Sequence, residues 1–340
     1  MDYYFYILMT QSPKISILIP SFNRAELLDK ALNSVLRQPY ENLELIVIDS
    51  NSQDNSRTIM GKYKSDPRFI EIDRDDNLGP NISRQQAFEM CHGDYVLNMD
   101  SDDELSEHYL EKMAAFAQEN DLDIVSSSVK IMDEDDQIHD DKGSFVFKQN
   151  TVLTNRSDYR NVLKMRYGSW MHMCKRSYLQ KHHYDYSKGK EMDIFAFQFF
   201  DDCKAGYVAD AFYYYRLHSG NSSSIIGNAK FNQKNDNCFD YRLPLTQEIK
   251  DPKRRMWLEM YHVKTWVPSY LFKYIGSGTF DYKAAIKDCK KYYHYSFLRM
   301  LSCTFKFRKR TWKVCFMILF HLETFAAKHY RKYYLKATSQ

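Results

Sequence analysis

The sequence predicts an α/β protein: a mostly parallel sheet flanked by helices, followed by a basic, aromatic-rich helical region. Three observations carry that reading. Short apolar runs alternate with helix-period segments from Ile15 to Val129, the pattern of a parallel sheet covered on both faces. A dense acidic cluster, Asp100-Ser101-Asp102-Asp103, closes one of those apolar runs. Charge is also partitioned along the chain. Residues 241–340 hold 21 Lys and Arg against 6 Asp and Glu, a balance of +15, whereas residues 1–240 hold 27 against 38, a balance of −11. An acidic body and a basic tail face different partners.

The elements follow in order. Ile15–Ile19 is a β-branched run closed by Pro20 and reads as a buried strand. Leu28, Leu32, Val35 and Leu36 then recur at helical spacing, with Asn23 available as N-cap. Leu43–Ile48 is a second buried strand ending at Asp49, and Asp54–Tyr63 a helix. A short strand at Phe69–Ile72 precedes a helix at Pro80–Cys91, opened by its proline. Asp94–Met99 is a strand, Ser106–Asn120 a helix and Asp123–Val129 a strand. Beyond Val129 the pattern weakens. Asp133–Asp141 reads as a solvated acidic loop, Arg156–Tyr167 and Lys190–Asp201 as helices, and Val208–Arg216 as a strand. From Pro244 the chain reads as helices rich in aromatic and basic residues. In parallel sheets ligands bind beyond the carboxyl ends of the strands. Pro20–Arg24, Asp49–Asp54 and Asp100–Asp103 all fall there, so one crevice is expected to gather them.

With 340 residues, 44% hydrophobic and 27% charged, the chain is long enough for one large or two ordinary domains, and wholesale disorder is excluded. The aromatic run at Tyr3–Met9 lacks the basic region and cleavage site of a signal peptide. The apolar run Val314–Phe320 is too short for a transmembrane helix, which needs about 20 residues. Seven cysteines without a CxxC pair suit a reducing, cytoplasmic setting.

The acidic cluster has two readings on chemistry alone. Three carboxylates with no His or Cys beside them suit a hard cation, Mn²⁺ or Mg²⁺, shared with phosphate oxygens. The plainer reading is a helix N-terminus with extra acids, which accounts for Asp103 or Ser106 but not for three carboxylates after a buried strand.

The wider pattern resembles the family 2 glycosyltransferases of the GT-A fold. Ile15–Pro20 with Ser21-Phe22-Asn23-Arg24 is similar to that family's opening, and Ile46–Asp54 to its "V-D-D-G-S-T-D" segment. Asn77-Leu78-Gly79, Ser83-Arg84-Gln85, Gly93-Asp94-Tyr95 and Asp100–Asp103 follow in the family's order and spacing. The resemblance covers Pro13–Val129 well and continues more faintly to Ser224.

The resemblance implies a GT-A catalytic domain over 13–224, with a nucleotide-binding half at 13–129 and an acceptor half at 130–224, ahead of a helical region at 225–340. It assigns Pro20, Phe22, Asn23 and Asp49 to the nucleotide base. It leaves Arg24 between the nucleotide and a plain first-turn helix role, and Arg84 between the nucleotide and a surface ion pair. It gives Asp100, Ser101 and Asp102 to the DxD motif that holds metal and diphosphate, with Asp103 as a supporting acid. Ser50 departs from the family's usual second Asp. The family's base stands in an "[E/D]-D-x-D" segment, which corresponds to Lys190-Glu191-Met192-Asp193. Glu191 falls at the base position, a shifted alignment selects Asp193, and Lys190 replaces an acid. Tyr215-Arg216-Leu217-His218 with the following serines resembles the family's "Y-R-x-H-x-x-S" ending, which implies His218 on the metal or the diphosphate and Arg216 on the diphosphate. Trp170 and His172 match the acceptor side, where a sugar stacking on Trp170 and a plain core Trp both remain open.

The expected activity is therefore metal-dependent, inverting transfer of a hexose or N-acetylhexosamine from a UDP-sugar to a cell-surface glycan or lipid-linked glycan. Two rivals are a catalytically impaired nucleotide-sugar-binding scaffold, suggested by Lys190, and a sugar-phosphate nucleotidyltransferase, disfavoured because Ser21–Arg24 lacks a glycine-rich phosphate loop. Residues 306–336 carry nine Lys and Arg around an apolar run. Such a tail suits either peripheral contact with the anionic inner face of the cell membrane or a subunit interface in a homo-oligomer. No nucleic-acid recognition motif accompanies these charges, so nucleic acid is not an expected partner.

Overall fold

The computed structural model describes residues 12–142, 144–165, 168–187, 193–218 and 246–259. A first compact unit ends at His218. In chain order it contains β1 (Ile15–Ser21), α1 (Ala25–Leu36), β2 (Leu43–Ser50), α2 (Ser56–Gly61), β3 (Phe69–Arg74), α3 (Pro80–Met90) and β4 (Tyr95–Asn98). These are followed by β5 (Glu104–Leu105), α4 (Tyr109–Glu119), β6 (Ile124–Met132), β7 (Ile138–Asp140), β8 (Thr151–Val152) and α5 (Arg156–Val162). A 3₁₀ turn at Ser169–Met171, β9 (His172–Lys175), α6 (Arg176–Lys181), α7 (Asp193–Phe197) and β10 (Ala205–Arg216) complete it. Of the second unit, residues 252–259 are helical. Among the described residues, no helix is long and apolar enough to cross a membrane.

The sheet order is β3-β2-β1-β4-β9-β6-β10-β5, with β7 on β6 and β8 on β10. β1 pairs in parallel with both β2 and β4, and β2 with β3. Burial of β1, β2 and β4 explains their predominantly apolar sequences. All eight residues of β2 and all four of β4 are buried, because helices cover both faces. β9 runs antiparallel between β4 and β6, while β10 is parallel to β6. One reversed strand thus joins two parallel blocks into a single mixed sheet.

Two local expectations are corrected. Asn23 is not the N-cap of α1. It stands at φ 51° in the left-handed region, and Arg24 takes the cap position. The caps come instead from the loop after β2: Arg24 N–H donates to Ser56 Oγ at 3.0 Å, and Ala25 N–H donates to Asp54 Oδ2 at 3.0 Å. The acidic stretch Asp133–Asp141 is not a plain solvated loop either. It folds back as the β6–β7 hairpin, and Asp136 pairs with Lys30 on α1 and with Arg216 on β10.

β10 is irregular at a place that matters for the crevice. Its register on β6 jumps from Val208↔Ser127 to Phe212↔Ser128, leaving Ala209–Ala211 outside the ladder. The strand is re-aimed there, as at a bulge. Ser106 N–H donates to Phe212 O at 2.9 Å, and Phe212 N–H donates to Ser106 Oγ at 3.1 Å. These bonds fasten the far half of β10 to the segment that follows the acidic cluster.

Candidate active site

The crevice is built at the carboxyl ends of β1, β2, β4 and β10. The first two loops are tied directly: Asn23 N–H donates to Ser52 Oγ at 2.9 Å, and Gln53 N–H donates to Asn23 Oδ1 at 2.8 Å. The left-handed backbone at Asn23 turns both of its polar groups toward that neighbour, a conformation asparagine tolerates better than most residues. Phe22, beside it, is exposed. Asp49 is fully buried at the end of β2. Its carboxylate accepts from Ser52 N–H and Oγ and from Arg57 Nε at 3.0 Å. Burying a carboxylate without partners would be costly; here three donors satisfy and orient it.

Gly79 adopts φ 90°, open to glycine at no steric cost, and starts α3 with Pro80 at its first turn. That helix delivers Arg84, which is 1% exposed and forms an ion pair with Asp100. Asp100 N–H donates to the Tyr213 hydroxyl at 3.1 Å. Asp102 Oδ2 lies 3.0 Å from His218 Nε2 and 3.4 Å from Arg24 Nε. Asp103 is buried, with Oδ1 accepting Arg216 N–H at 2.8 Å and Oδ2 accepting the Tyr213 hydroxyl at 2.7 Å. Burial, and then the neighbouring Asp100 and Asp102 charges, push its carboxyl well above the usual carboxylate range.

One ligand atom from each of Asp100, Asp102 and Asp103 can be chosen so that all lie within 4.8 Å of one another. An all-oxygen, multiply charged donor set of this size fits a hard divalent cation. The like charges also repel one another, and a cation would relieve that repulsion.

The remaining expected residues are placed as follows. Pro20 and Ser21 lie at the end of β1 and Ser101 in the acidic loop. Arg216 is buried, with its guanidinium on Glu104 and Asp136 at 2.5 Å each and on the Asp133 carbonyl at 3.3 Å. Its side chain thus braces the hairpin and β5, while its backbone N–H serves Asp103. Trp170 is 5% exposed and stacks on Tyr213 at 4.7 Å and on Tyr215 at 5.1 Å. Of the two readings left open for it, the geometry selects the core one. His172 is buried in β9 with Nδ1 2.8 Å from Ser126 Oγ, and burial lowers its pKa to about 3. Glu191 lies outside the described residues, as does the tail at 306–336; Asp193 opens α7. Sequence reasoning assigns Tyr213 and Glu104 no role in the site. An aromatic run and an acid after a DxD give no sign of a contact across more than 100 residues.

These contacts bring the loops after β1, β2 and β4 together with the end of β10. The family model for glycosyl transferase family 2 matches residues 16–182. The chain belongs to that family. It is a glycosyltransferase with the GT-A fold. Cholesterol galactosyltransferase of Borreliella burgdorferi is 26% identical over 287 residues, covering 80% of each chain. The poly(ribitol-phosphate) β-N-acetylglucosaminyltransferase TarP of Staphylococcus aureus is 34% identical over 116 residues, which span 33% of this chain and 35% of TarP. The structure of S. aureus TarS 1–349 in complex with UDP-GlcNAc shares the fold, with TM-score 0.58 and 19% identity over 78% of this chain and 80% of that one.

Proposed function

We propose that this glycosyltransferase, through a catalytic domain spanning 13–224, moves a hexose or N-acetylhexosamine from a UDP-sugar to a hydroxyl of a growing cell-surface glycan, with inversion. The observation that carries the reading is the convergence of buried Asp49, the Arg84–Asp100 pair and the Asp102–His218 pair at adjoining strand ends. The UDP-GlcNAc complex of the TarS neighbour and the poly(ribitol-phosphate) acceptor in TarP's name support the donor and acceptor classes.

The roles follow from the groups. Asp49, oriented by Ser52 and Arg57, accepts the imide N–H of uracil while Phe22 and the Asn23 loop flank the ring. Asp100 and Asp102, with His218 beside them, would hold Mn²⁺ or Mg²⁺, whose charge offsets that developing on the departing diphosphate. Arg84 fixes Asp100 and adds positive charge behind it. A carboxylate, Glu191 or Asp193, takes the proton of the attacking acceptor hydroxyl. The basic tail at 306–336 suits docking on an anionic membrane bearing a lipid-linked acceptor.

The test is UDP release from a panel of UDP-sugars with Mn²⁺ or Mg²⁺, comparing wild type with Asp102→Ala and Glu191→Ala. The reading expects metal-dependent release with one or two donors, reduced about 10²-fold or more in each variant. Equal, slow release by all three proteins would sink it.

A further inference from the structure

The hydroxyl of Tyr213 joins the first and last carboxylates of the acidic cluster. Its oxygen accepts Asp100 N–H at 3.1 Å, and its single proton goes to Asp103 Oδ2 at 2.7 Å. The other Asp103 oxygen is taken by Arg216 N–H at 2.8 Å. Both oxygens of Asp103 are therefore engaged by β10 in a fully buried setting, whereas Asp100 is part-exposed. The Tyr213 ring is fixed from behind by Trp170, stacked at 4.7 Å and itself held over Tyr215. Gly168 makes that position of the indole accessible, since a Cβ there would stand 2.3 Å from the Trp170 ring.

From this geometry we infer that Tyr213 and Asp103 are positioning residues for the cation site. The inference rests on the metal-binding reading above. Asp103 does not serve as the third ligand; it clamps the end of β10 to the acidic loop. Three contacts follow from that clamp. The loop backbone is pinned at Asp100, and the Asp103 carboxylate holds the backbone of Arg216. Two residues further on, His218 Nε2 then meets Asp102 Oδ2 at 3.0 Å. The β5–β10 pairing and the Ser106–Phe212 bonds also join these two segments, but they lie past the acidic loop, and the clamp is what reaches Asp100 itself. A hydroxyl with one proton can bridge a backbone donor and a carboxylate acceptor in only one direction, which makes the bridge directional as well as close. Buried networks satisfied in this way rigidify the groups they connect.

The experiment measures Mn²⁺ binding to the full-length protein by isothermal titration and by loss of the free-ion electron paramagnetic resonance signal, without donor. Tyr213→Phe keeps the stacked ring and deletes the bridge. The expected result is a Kd for Mn²⁺ raised at least fivefold. The Mn²⁺ concentration for half-maximal UDP release should rise by the same factor, while the rate at saturating Mn²⁺ stays within about threefold of wild type. Asp103→Asn, which keeps the shape but turns one acceptor into a donor, should weaken binding in the same direction and serves if the first variant does not fold. A purely structural hydroxyl would lower the melting temperature and leave the Mn²⁺ Kd unchanged in either folded variant, which overturns the inference. Wild-type protein that binds no Mn²⁺, or binds it as well as Asp102→Ala does, overturns the metal reading and this inference together.

Discussion

Replacing Trp170 by alanine separates a packing role from a sugar-stacking one. The indole is 5% exposed and lies between two tyrosine rings, at 4.7 Å and 27° to Tyr213 and at 5.1 Å and 15° to Tyr215. Truncating a buried Trp to Ala costs about 3–5 kcal/mol through lost burial and the residual cavity. Each stacked partner contributes about 0.5–1.5 kcal/mol beyond area, which places this site in the upper part of that range. At roughly 2–4 °C per kcal/mol for a unit of this size, a cost of about 4–5 kcal/mol lowers the melting temperature by about 8–20 °C. Trp170→Phe keeps an aromatic face against both tyrosines and should lose distinctly less. Thermal unfolding followed by circular dichroism reads both variants. The reasoning fails if Trp170→Ala melts within about 3 °C of wild type, because an indole whose removal leaves stability intact is not part of the core. Such a protein, with a raised acceptor KM, would instead return Trp170 to the acceptor side.

Two further predictions concern stability. His172 has its pKa lowered by burial to about 3, so the folded protein holds it neutral while the unfolded chain takes up a proton near 6.5. Its contribution is then fully present above about pH 6.5 and is lost as pH falls toward 3, with a slope of at most about 1.4 kcal/mol per pH unit. His172→Gln, which does not titrate, should flatten the denaturant-measured stability between pH 6.5 and 4.5 relative to wild type. The comparison cancels Asp103, whose raised pKa acts with the opposite sign and is common to both proteins. Parallel profiles would show that His172 is not held neutral. Gly93→Ala should abolish soluble expression or lower the melting temperature by 10 °C or more (roughly 3 kcal/mol or above). Its Cβ would stand 2.4 Å from Ser16 Oγ, 2.6 Å from Ser16 N and 2.8 Å from the Tyr95 carbonyl, and backbone atoms cannot give way cheaply. A wild-type melt for that variant would contradict the close approach of β1 to the start of β4.

Much of the parallel block was legible because burial on both faces leaves a one-dimensional trace. Ile15–Ile19, Leu43–Ile48 and Asp94–Met99 are predominantly apolar; the structure extends the first two by two residues at their carboxyl ends and ends the third at Asn98, one residue early. Short antiparallel pieces left no such trace. β5 and β8 have two residues each and β9 four, too few to show a period, and their strand character comes wholly from the partners they meet. The cap of α1 was misplaced for a related reason. Asn23 is a good cap residue by type, yet Ser56 and Asp54, some thirty residues on, reach the helix start first.

The division within the site has the same origin. Ordered motifs sufficient to name Asp49, Arg84, Asp100 and Asp102 are local strings at strand ends, and a parallel sheet gathers its strand ends by construction. Their neighbourhood is not local. Arg216 meets Asp136 across 80 residues and Glu104 across 112, and Tyr213 meets Asp103 across 110. Whether a buried arginine faces a phosphate or a pair of carboxylates, and whether a tryptophan faces a sugar or two tyrosines, depends on which strands become neighbours. Sequence alone therefore determined the family, the parallel sheet and the chemical types collected at its edge. Tertiary structure decided which of those groups face the crevice and which hold it in shape, because that choice is made by contacts between residues that no local pattern connects.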